Sequence, residues 1–122
     1  MPEKTKKLGD EGGVHLIINA KKCNLRKLND MQFIYNLLDT LPGKIGMNKL
    51  TLPYLVRGAD YDPGITGFLI IETSHVSIHT FTDKNFAAMD VYSCTHFDAG
   101  KLAILLKKEL ESKDFRFHVV ER

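Results

Sequence analysis

The segment "IETSHVSIHTF", residues 71–81, places two serine hydroxyls and two imidazoles within a stretch that is otherwise largely apolar. These side chains belong to Ser74, His75, Ser77 and His79, and the thiol of Cys94 follows further along the chain. Hydroxyls and thiols act as nucleophiles when a base or a positive neighbour activates them, and histidine is the usual base. The segment therefore indicates metal binding, nucleophilic catalysis or a reaction of the chain with itself.

The histidine spacing allows a first test for a metal site. His75 and His79 are four residues apart, a spacing that binds zinc when it lies on a helix. Polar and apolar residues alternate here, however, which is typical of a β-strand. On a strand the two imidazoles share a face but lie roughly 13 Å apart, so one ion cannot bridge them. A composite site would need Cys94 and His96 as well, and the spacing favours no metal site.

A second interpretation concerns the thiol. Cys94 could be a nucleophile that His79 activates, as in cysteine hydrolases. Nothing in the sequence shows that these two side chains meet. Free cysteine is among the most buried residue types, so Cys94 could equally be a small core residue that ends a strand. Both alternatives stay open on the residues alone.

A third interpretation is a reaction of Ser74 with its own backbone. Its hydroxyl can attack the carbonyl of Thr73, which converts the peptide bond to an ester, and elimination then leaves a ketone at a new N-terminus. Such a ketone would form a Schiff base with a substrate amine and stabilise the carbanion left by decarboxylation. The chemistry needs a base and a proton donor, and His79 and Cys94 are suitable types. An ordinary strand serine remains the alternative.

The strands that would hold these residues can be predicted from the pattern. After a polar, flexible tail at residues 1–13, one domain is expected at residues 14–122. Strands are predicted at 14–20, at 49–56 with an interruption at Pro53, and at the closing segment "DFRFHVVE". From Gly67 onward, "FLIIET", "HVSIHTF" and "FAAMDVYSC" predict three strands that could form a meander, and residues 57–67 are predicted to form a loop.

Two amphipathic helices complete the predicted fold. The first has Asn29 or Asp30 as its N-cap and ends at Pro42-Gly43, and the second begins at Asp98. The order of elements favours the α+β class. We expect a two-layer sandwich, with a mainly antiparallel sheet covered on one face by two helices.

Composition limits the class of protein further. The chain has 122 residues and a formal net charge of +2, with the charges scattered, which argues against a nucleic-acid or membrane-surface protein. No apolar run approaches the roughly 18 residues that span a bilayer. The two cysteines, Cys23 and Cys94, form no paired framework, so a cytoplasmic location is expected.

The segment "GITGFLIIETSHVSIHTFTDKNFAAMDVYSC" resembles the central region of the small prokaryotic S-adenosylmethionine decarboxylase proenzymes. Its most specific parts are "SHVSIHTF" and "AAMDVYSC". The resemblance implies self-cleavage between Thr73 and Ser74 into a β subunit and an α subunit. Ser74 would supply a pyruvoyl group as the cofactor of a pyruvoyl-decarboxylase domain, residues 14–122. The product would be the aminopropyl donor for spermidine, a polyamine.

The resemblance also implies roles for individual residues. His79 falls at the position of the processing histidine and Cys94 at that of the proton-donating cysteine. Thr66 replaces a more usual serine that assists processing, and Asp83 would hold the ribose hydroxyls. Thr73 stands where the family commonly has glutamate, which puts the rate of processing in doubt.

Further implications concern the substrate and the assembly. The chain would bind S-adenosylmethionine and form a homodimer of αβ units. The aromatic residue that stacks on adenine is not assigned, and the candidates are Tyr54, Tyr61 and Phe81. Two alternative functions stay open: pyruvoyl-dependent decarboxylation of ornithine or arginine, and a ligand-binding homologue that is never processed.

Overall fold

Alternation of apolar and polar residues gives most of the strands one buried face. The structure, a computed structural model, describes residues 2–122, with side chains from residue 6 onward. The strands in this range are β1 Pro2–Lys7, β2 Val14–Lys21, β3 Tyr54–Arg57, β4 Ile65–Ile71, β5 Ser74–Phe81, β6 Phe86–Ser93 and β7 Asp114–Glu121. The helices in this range are α1 Leu25–Leu28, α2 Met31–Lys44 and α3 Ala99–Leu110.

Across residues 2–122 these strands form one seven-stranded sheet, in the order β1-β7-β2-β6-β5-β4-β3. Neighbouring strands are antiparallel except β1 and β7, which are parallel. Helix α2 packs against β4 and helix α3 against β2, on the same face of the sheet. The predicted α+β class, the two-layer arrangement and the meander β4–β5–β6 are confirmed. The short helix α1 was not predicted.

The core lies between the two long helices and one face of the sheet. Alternate residues of each central strand point into it, and the apolar stripes of α2 and α3 cover them. The fully buried members from β2, β5 and β6 include Leu16, Ile18, Val76, Ile78, Met89 and Val91. The intervening residues of these strands therefore lie on an opposite face that no helix covers, which we call the open face.

Aspartate side chains cap the N-terminal ends of the two long helices, and α2 contains a proline in its last turn. Asp30 caps α2, as predicted, by accepting hydrogen bonds from the backbone N–H groups of Gln32 and Phe33. Asp98 caps α3 in the same way. The prediction that α2 stops at Pro42-Gly43 was wrong, because the helix continues to Lys44. In the last turn proline forfeits only one helical hydrogen bond, and its carbonyl still accepts from Ile45 and Met47.

Strand β1 lies within the segment predicted to be a tail, of which Met1 is outside the described residues. It pairs in parallel with β7, with Lys6 opposite Val120, and Leu8 N–H extends the ladder to the carbonyl of Glu121. Its charged sequence carries no strand signal, but the exposed backbone of β7 offers hydrogen-bonding partners to any segment. Lysines are common on such edge strands for the same reason.

The other edge of the sheet begins directly after Pro53, where β3 pairs with β4. Pro53 directly precedes this edge strand and costs no ladder hydrogen bond, and the strand predicted at 49–56 is limited to Tyr54–Arg57. The loop between β3 and β4 is residues 58–64, shorter than predicted. It ends at Gly64, which has φ +146° and lies so close to Thr80 that a Cβ would be 1.8 Å from the Thr80 carbonyl oxygen. Only glycine fits there.

Within residues 2–122, none of the helices has the length and apolar character needed to cross a membrane.

Candidate active site

The turn before Ser74 is the tightest feature of the site. Two residues, Glu72 and Thr73, connect β4 to β5. Thr73 has φ +47°, in the left-handed region that suits glycine and asparagine. A β-branched residue is strained in this conformation, at a cost of roughly 1–3 kcal/mol. The peptide bond between Thr73 and Ser74 therefore begins at a strained residue.

Ser74 and Cys94 meet because of the register between β5 and β6. His75 pairs with Tyr92, which brings Ser74 opposite the end of β6. The side chain of Ser74 is buried, and its Oγ accepts a hydrogen bond of 2.8 Å from the backbone N–H of Cys94. The hydroxyl is thus held in one orientation beside the turn, with a donor directed at the oxygen that would attack.

The Cys94 thiol lies against the turn itself. Its Sγ is 2.6 Å from Oγ1 of Thr73 and 3.7 Å from the carbonyl oxygen of Glu72. The Thr73 hydroxyl lowers the pKa of the Cys94 thiol, the Ser74 side chain lowers it further, and the charge of Glu72 has a smaller opposing effect. Cys94 therefore contacts both residues of the predicted scissile bond, Thr73 through its thiol and Ser74 through its backbone N–H.

His79 is placed at the other end of β5. It pairs with Thr66 on the neighbouring strand β4, and Thr66 Oγ1 and His79 Nδ1 share a hydrogen bond of 3.0 Å. His79 lies on the open face, whereas Ser74 points toward the helices. Five residues of strand separate them by roughly 16 Å. Within one chain, His79 does not contact Ser74.

Asp83 lies in the turn between β5 and β6 and is exposed. It is therefore at the same end of the sheet as Thr66 and His79. The sequence-predicted site residues form two groups in one chain, with Thr73, Ser74 and Cys94 at one end and Thr66, His79 and Asp83 at the other.

The geometry also tests the two other interpretations of the sequence, a cysteine nucleophile activated by His79 and a metal site. His79 pairs with Ala88 on β6, and Cys94 lies six residues further along, roughly 20 Å away. A thiol–imidazole dyad is therefore not assembled within one chain. Among the residues whose placement is described, no group of three or more His, Cys, Asp or Glu side chains could hold a metal ion. Both cysteines are free thiols, with Cys23 buried.

Comparison with known proteins identifies the family to which this chain belongs. The family model described as S-adenosylmethionine decarboxylase matches residues 14–122, which is most of the chain. The chain belongs to the S-adenosylmethionine decarboxylase family. Its Ser74, His79 and Cys94 occur in the segments from which the resemblance was drawn.

Two relatives in this decarboxylase family cover 90% and 73% of the chain. A protein from Prochlorococcus marinus (strain MIT 9313), named S-adenosylmethionine decarboxylase proenzyme, is 32% identical over 90% of this chain and 86% of its own. A protein of the same name from Anoxybacillus flavithermus (strain DSM 21510 / WK1) is 34% identical over 73% of this chain and 69% of its own. The crystal structure of the adenosylmethionine decarboxylase from Aquifex aeolicus VF5 has a TM-score of 0.78 at 23% identity, covering 93% of this chain and 92% of that one. This structural likeness confirms the fold.

The open face of this S-adenosylmethionine decarboxylase family member carries His15 and Asp90, which the sequence did not indicate as site residues, beside His75. His15 Nε2 and Asp90 Oδ1 form a pair at 3.0 Å on β2 and β6. The His75 imidazole packs between Phe68 and Tyr92, at centroid distances of 5.5 and 5.7 Å. Strand alternation places each of them on this face, but which side chains meet depends on the register of four strands.

The aromatic candidates for adenine stacking lie in different places. Tyr54 on β3 is 73% exposed and Tyr61 in the loop 58–64 is 90% exposed. Phe81 stacks on Phe86 at a centroid distance of 5.4 Å. The two tyrosines are thus free to contact a ligand, whereas Phe81 already packs against another ring.

Proposed function

We propose that the chain cleaves itself between Thr73 and Ser74 and then decarboxylates S-adenosylmethionine. The observation that carries the proposal is the contact between Ser74 and Cys94 at the strained turn, in a chain of this family. Residues 14–122 would act as one pyruvoyl-decarboxylase domain. The β subunit would end at Thr73 and the α subunit would begin with the group made from Ser74.

The cleavage can be followed atom by atom. Ser74 Oγ attacks the carbonyl carbon of Thr73, and the bond from that carbon to the Ser74 nitrogen breaks, leaving an ester and an amine. A base removes the α-proton of Ser74. The bond from Cβ to Oγ then breaks, and the oxygen leaves as part of the Thr73 carboxylate. Addition of one water and loss of ammonia complete the pyruvoyl group.

Two observations support this chemistry at Ser74. The left-handed conformation of Thr73 is strained, and breaking the chain there relieves the strain. The backbone N–H of Cys94 donates to Oγ and stabilises negative charge on the oxygen that attacks and later departs. The environment of Ser74 therefore fits the formation of a pyruvoyl group.

The decarboxylation step uses the same end of the sheet. A pyruvoyl group supplies a carbonyl that condenses with the substrate's α-amino group and accepts the electron pair released with carbon dioxide. Cys94 lies beside Ser74, so its thiol can donate a proton to the substrate's α-carbon. The product is the aminopropyl donor used for spermidine. The free thiols of both cysteines support a cytoplasmic location.

We further propose that the active site is completed by a second copy of the chain. Thr66, His79 and Asp83 lie at the opposite end of the sheet from Ser74, so one chain does not hold all the predicted site residues together. Two open faces packed about a two-fold axis that lies between them, perpendicular to β5 near its middle, would place His79 of one copy over the Ser74 end of the other. The processing histidine would then act between copies.

Exposed apolar side chains support this homodimer of αβ units. Tyr54, Val56, Phe68 and Ile70 are 73%, 48%, 41% and 44% exposed, and all four are on β3 or β4. Adjacent apolar side chains of this size on an uncovered sheet face mark an interaction surface. Tyr54 would lie at the edge of the dimer interface, where it could also contact the adenine of S-adenosylmethionine.

The test is an intact-mass measurement of the wild-type chain and the Ser74→Ala variant under denaturing conditions. We expect two fragments that meet at Thr73 and Ser74 in the wild type and one full-length mass in the variant. Carbon dioxide release is then measured in parallel from S-adenosylmethionine, ornithine and arginine. Release from ornithine or arginine alone would establish the alternative substrate class, which the comparisons do not favour. A wild-type chain that stays intact would contradict self-processing.

A further inference from the structure

The Thr73 side chain is the feature that the proposed chemistry leaves without a role. Cleavage uses its backbone carbonyl, which any residue supplies. Yet its hydroxyl oxygen lies 2.6 Å from Cys94 Sγ and 2.8 Å from the carbonyl oxygen of Glu72.

We propose that Thr73 is a positioning residue for Cys94 in both states of the chain: its hydroxyl holds the thiol before cleavage, and its terminal carboxylate faces the same thiol afterwards. The inference rests on the proposed function for its second half only. The contact in the uncut chain stands on the geometry alone.

Before cleavage, the hydroxyl acts on the charge state of the sulfur. A hydroxyl donates to a thiolate more strongly than to a thiol, so the contact favours the ionised form. The hydrogen bond from Thr73 is the largest cause that lowers the pKa of Cys94, followed by that from Ser74. The charged group acting in the opposite direction is Glu72, whose carboxylate also accepts from the backbone N–H of Asn48. The Cys94 thiol of the uncut chain is therefore a stronger acid than an ordinary cysteine.

Cleavage removes the Ser74 contact, leaves the Thr73 hydroxyl in place and adds a carboxylate to the same residue. The Ser74 Oγ atom becomes one oxygen of the Thr73 carboxylate, and it starts within hydrogen-bond distance of the Cys94 N–H that already holds it. The carboxylate belongs to Thr73, whose hydroxyl contacts Cys94 Sγ. The new negative charge therefore begins within about 4–6 Å of the sulfur, and at this distance a like charge disfavours the thiolate. The Ser74 hydroxyl no longer exists.

The consequence is a change in the acid strength of Cys94 that is tied to processing. In the uncut chain the pKa of the Cys94 thiol is lowered. In the cut chain the adjacent carboxylate favours the protonated thiol, which is the form that can donate to the substrate's α-carbon. The fraction of Cys94 that carries this proton would thus rise when the chain is cut.

The test follows the alkylation of Cys94 by iodoacetamide as a function of pH, read by mass spectrometry on the Cys94 peptide. Cys23 is buried and serves as the internal standard within each sample. Four full-length proteins are compared: wild type, Ser74→Ala, Ser74→Ala with Thr73→Val, and Ser74→Ala with Thr73→Ser. Valine keeps the branched shape without the hydroxyl, and serine keeps the hydroxyl without the methyl.

We expect the Ser74→Ala chain to be alkylated with a midpoint roughly one pH unit below that of the Thr73→Val double variant, which is about a tenfold difference in rate below the midpoint. The Thr73→Ser double variant should match Ser74→Ala. The cut wild type should have a midpoint above that of Ser74→Ala.

The outcomes separate the two halves of the inference. Equal midpoints in Ser74→Ala and the Thr73→Val double variant would overturn the role of the hydroxyl. A cut wild-type chain whose midpoint is not above that of Ser74→Ala would overturn the role of the carboxylate. A wild-type chain that remains at its full-length mass would remove the proposed function and the second half with it. The comparison of the three uncut chains still decides the first half.

Discussion

The backbone N–H of Cys94 donates to Oγ of Ser74 across 2.8 Å, between the end of β6 and the start of β5. One residue therefore presents two different groups to the site. Its backbone holds the serine that would cut the chain, and its side chain lies against the turn that would be cut. The two functions can be separated by substitution, because a change of side chain leaves the backbone donor in place.

Cys94→Ala should process normally and fail in catalysis. The backbone N–H still holds Ser74, so two fragments are expected by intact mass. Loss of a proton donor costs roughly 10²–10⁴-fold in rate, so carbon dioxide release from S-adenosylmethionine should fall by that factor. Cys23→Ala is the matched control and should keep both processing and turnover, because Cys23 is a buried side chain away from Ser74. Normal turnover in Cys94→Ala would contradict the proton-donor role.

His79→Ala should block cleavage in a way that a partner chain can repair. His79 is roughly 16 Å from Ser74 of its own chain and on the other face of the sheet. If it acts on the partner's serine, the His79→Ala chain alone stays intact. Refolded in a mixture with Ser74→Ala chains, it should become cut, because the second chain supplies the missing imidazole.

The control for this mixture is the double variant Ser74→Ala with His79→Ala, which supplies no imidazole and should rescue nothing. Differential isotope labelling of the two chains shows by mass which one was cut. Cleavage of the His79→Ala chain on its own, or no cleavage in either mixture, would contradict action between copies.

The sequence predicts most of the fold because the strands and long helices have strong periodic patterns. Alternation also predicts that His75 and His79 share the open face and that Ser74 does not, since the serine is an odd number of residues from each. Strand β1 could not be predicted, because its backbone pairs with β7, which lies at the other end of the sequence, while its side chains are charged. Long-range pairing of this kind leaves no local signal.

The contact between Thr73 and Cys94 could not be predicted either. It depends on the register between β5 and β6 and on the left-handed conformation of the turn, and both are set by the whole sheet. The sequence analysis assigned Thr73 only as the residue that supplies the carbonyl. The resemblance found the positions of Ser74, His79 and Cys94, but their distribution between the two ends of the sheet required the structure.

Gly64→Ala should destabilise the domain strongly. The new Cβ would lie 1.8 Å from the carbonyl oxygen of Thr80, and φ +146° is unfavourable for alanine. Overpacking and backbone strain together predict a loss of roughly 2–4 kcal/mol in the free energy of unfolding. The measurement is denaturant unfolding in the Ser74→Ala background, so that every chain is uncut.

Gly43→Ala is the opposite case and serves as the control. Gly43 lies in α2, and its added Cβ would meet nothing within 4 Å. Alanine favours a helix over glycine by about 0.5–1 kcal/mol, so this variant should be slightly more stable. An equal effect of the two substitutions would show that the close approach at Gly64 is not what requires glycine.

His75 should make stability depend on pH in the mildly acidic range. Burial lowers the pKa of His75 in the folded chain, as does the charge of His15, with Asp90 opposing them and Arg122 adding to them. The unfolded chain, with a histidine pKa of about 6.5, therefore binds a proton more readily than the folded one. Stability is greatest above that pKa and falls as the pH drops through it toward the lower pKa of the folded state.

Replacing His75 with glutamine should remove this part of the acid sensitivity between pH 7 and pH 5, and the effect should be small because the side chain is only partly buried. Unfolding is measured at both pH values, in the Ser74→Ala background and at one fixed protein concentration, since association would also shift the midpoint. The exposed His118 on β7, changed to glutamine, is the control for loss of a histidine as such. Identical pH dependence of stability in the two variants would mean that another group carries the acid sensitivity. A flatter dependence of stability on pH for His75→Gln alone assigns the sensitivity to the imidazole between Phe68 and Tyr92.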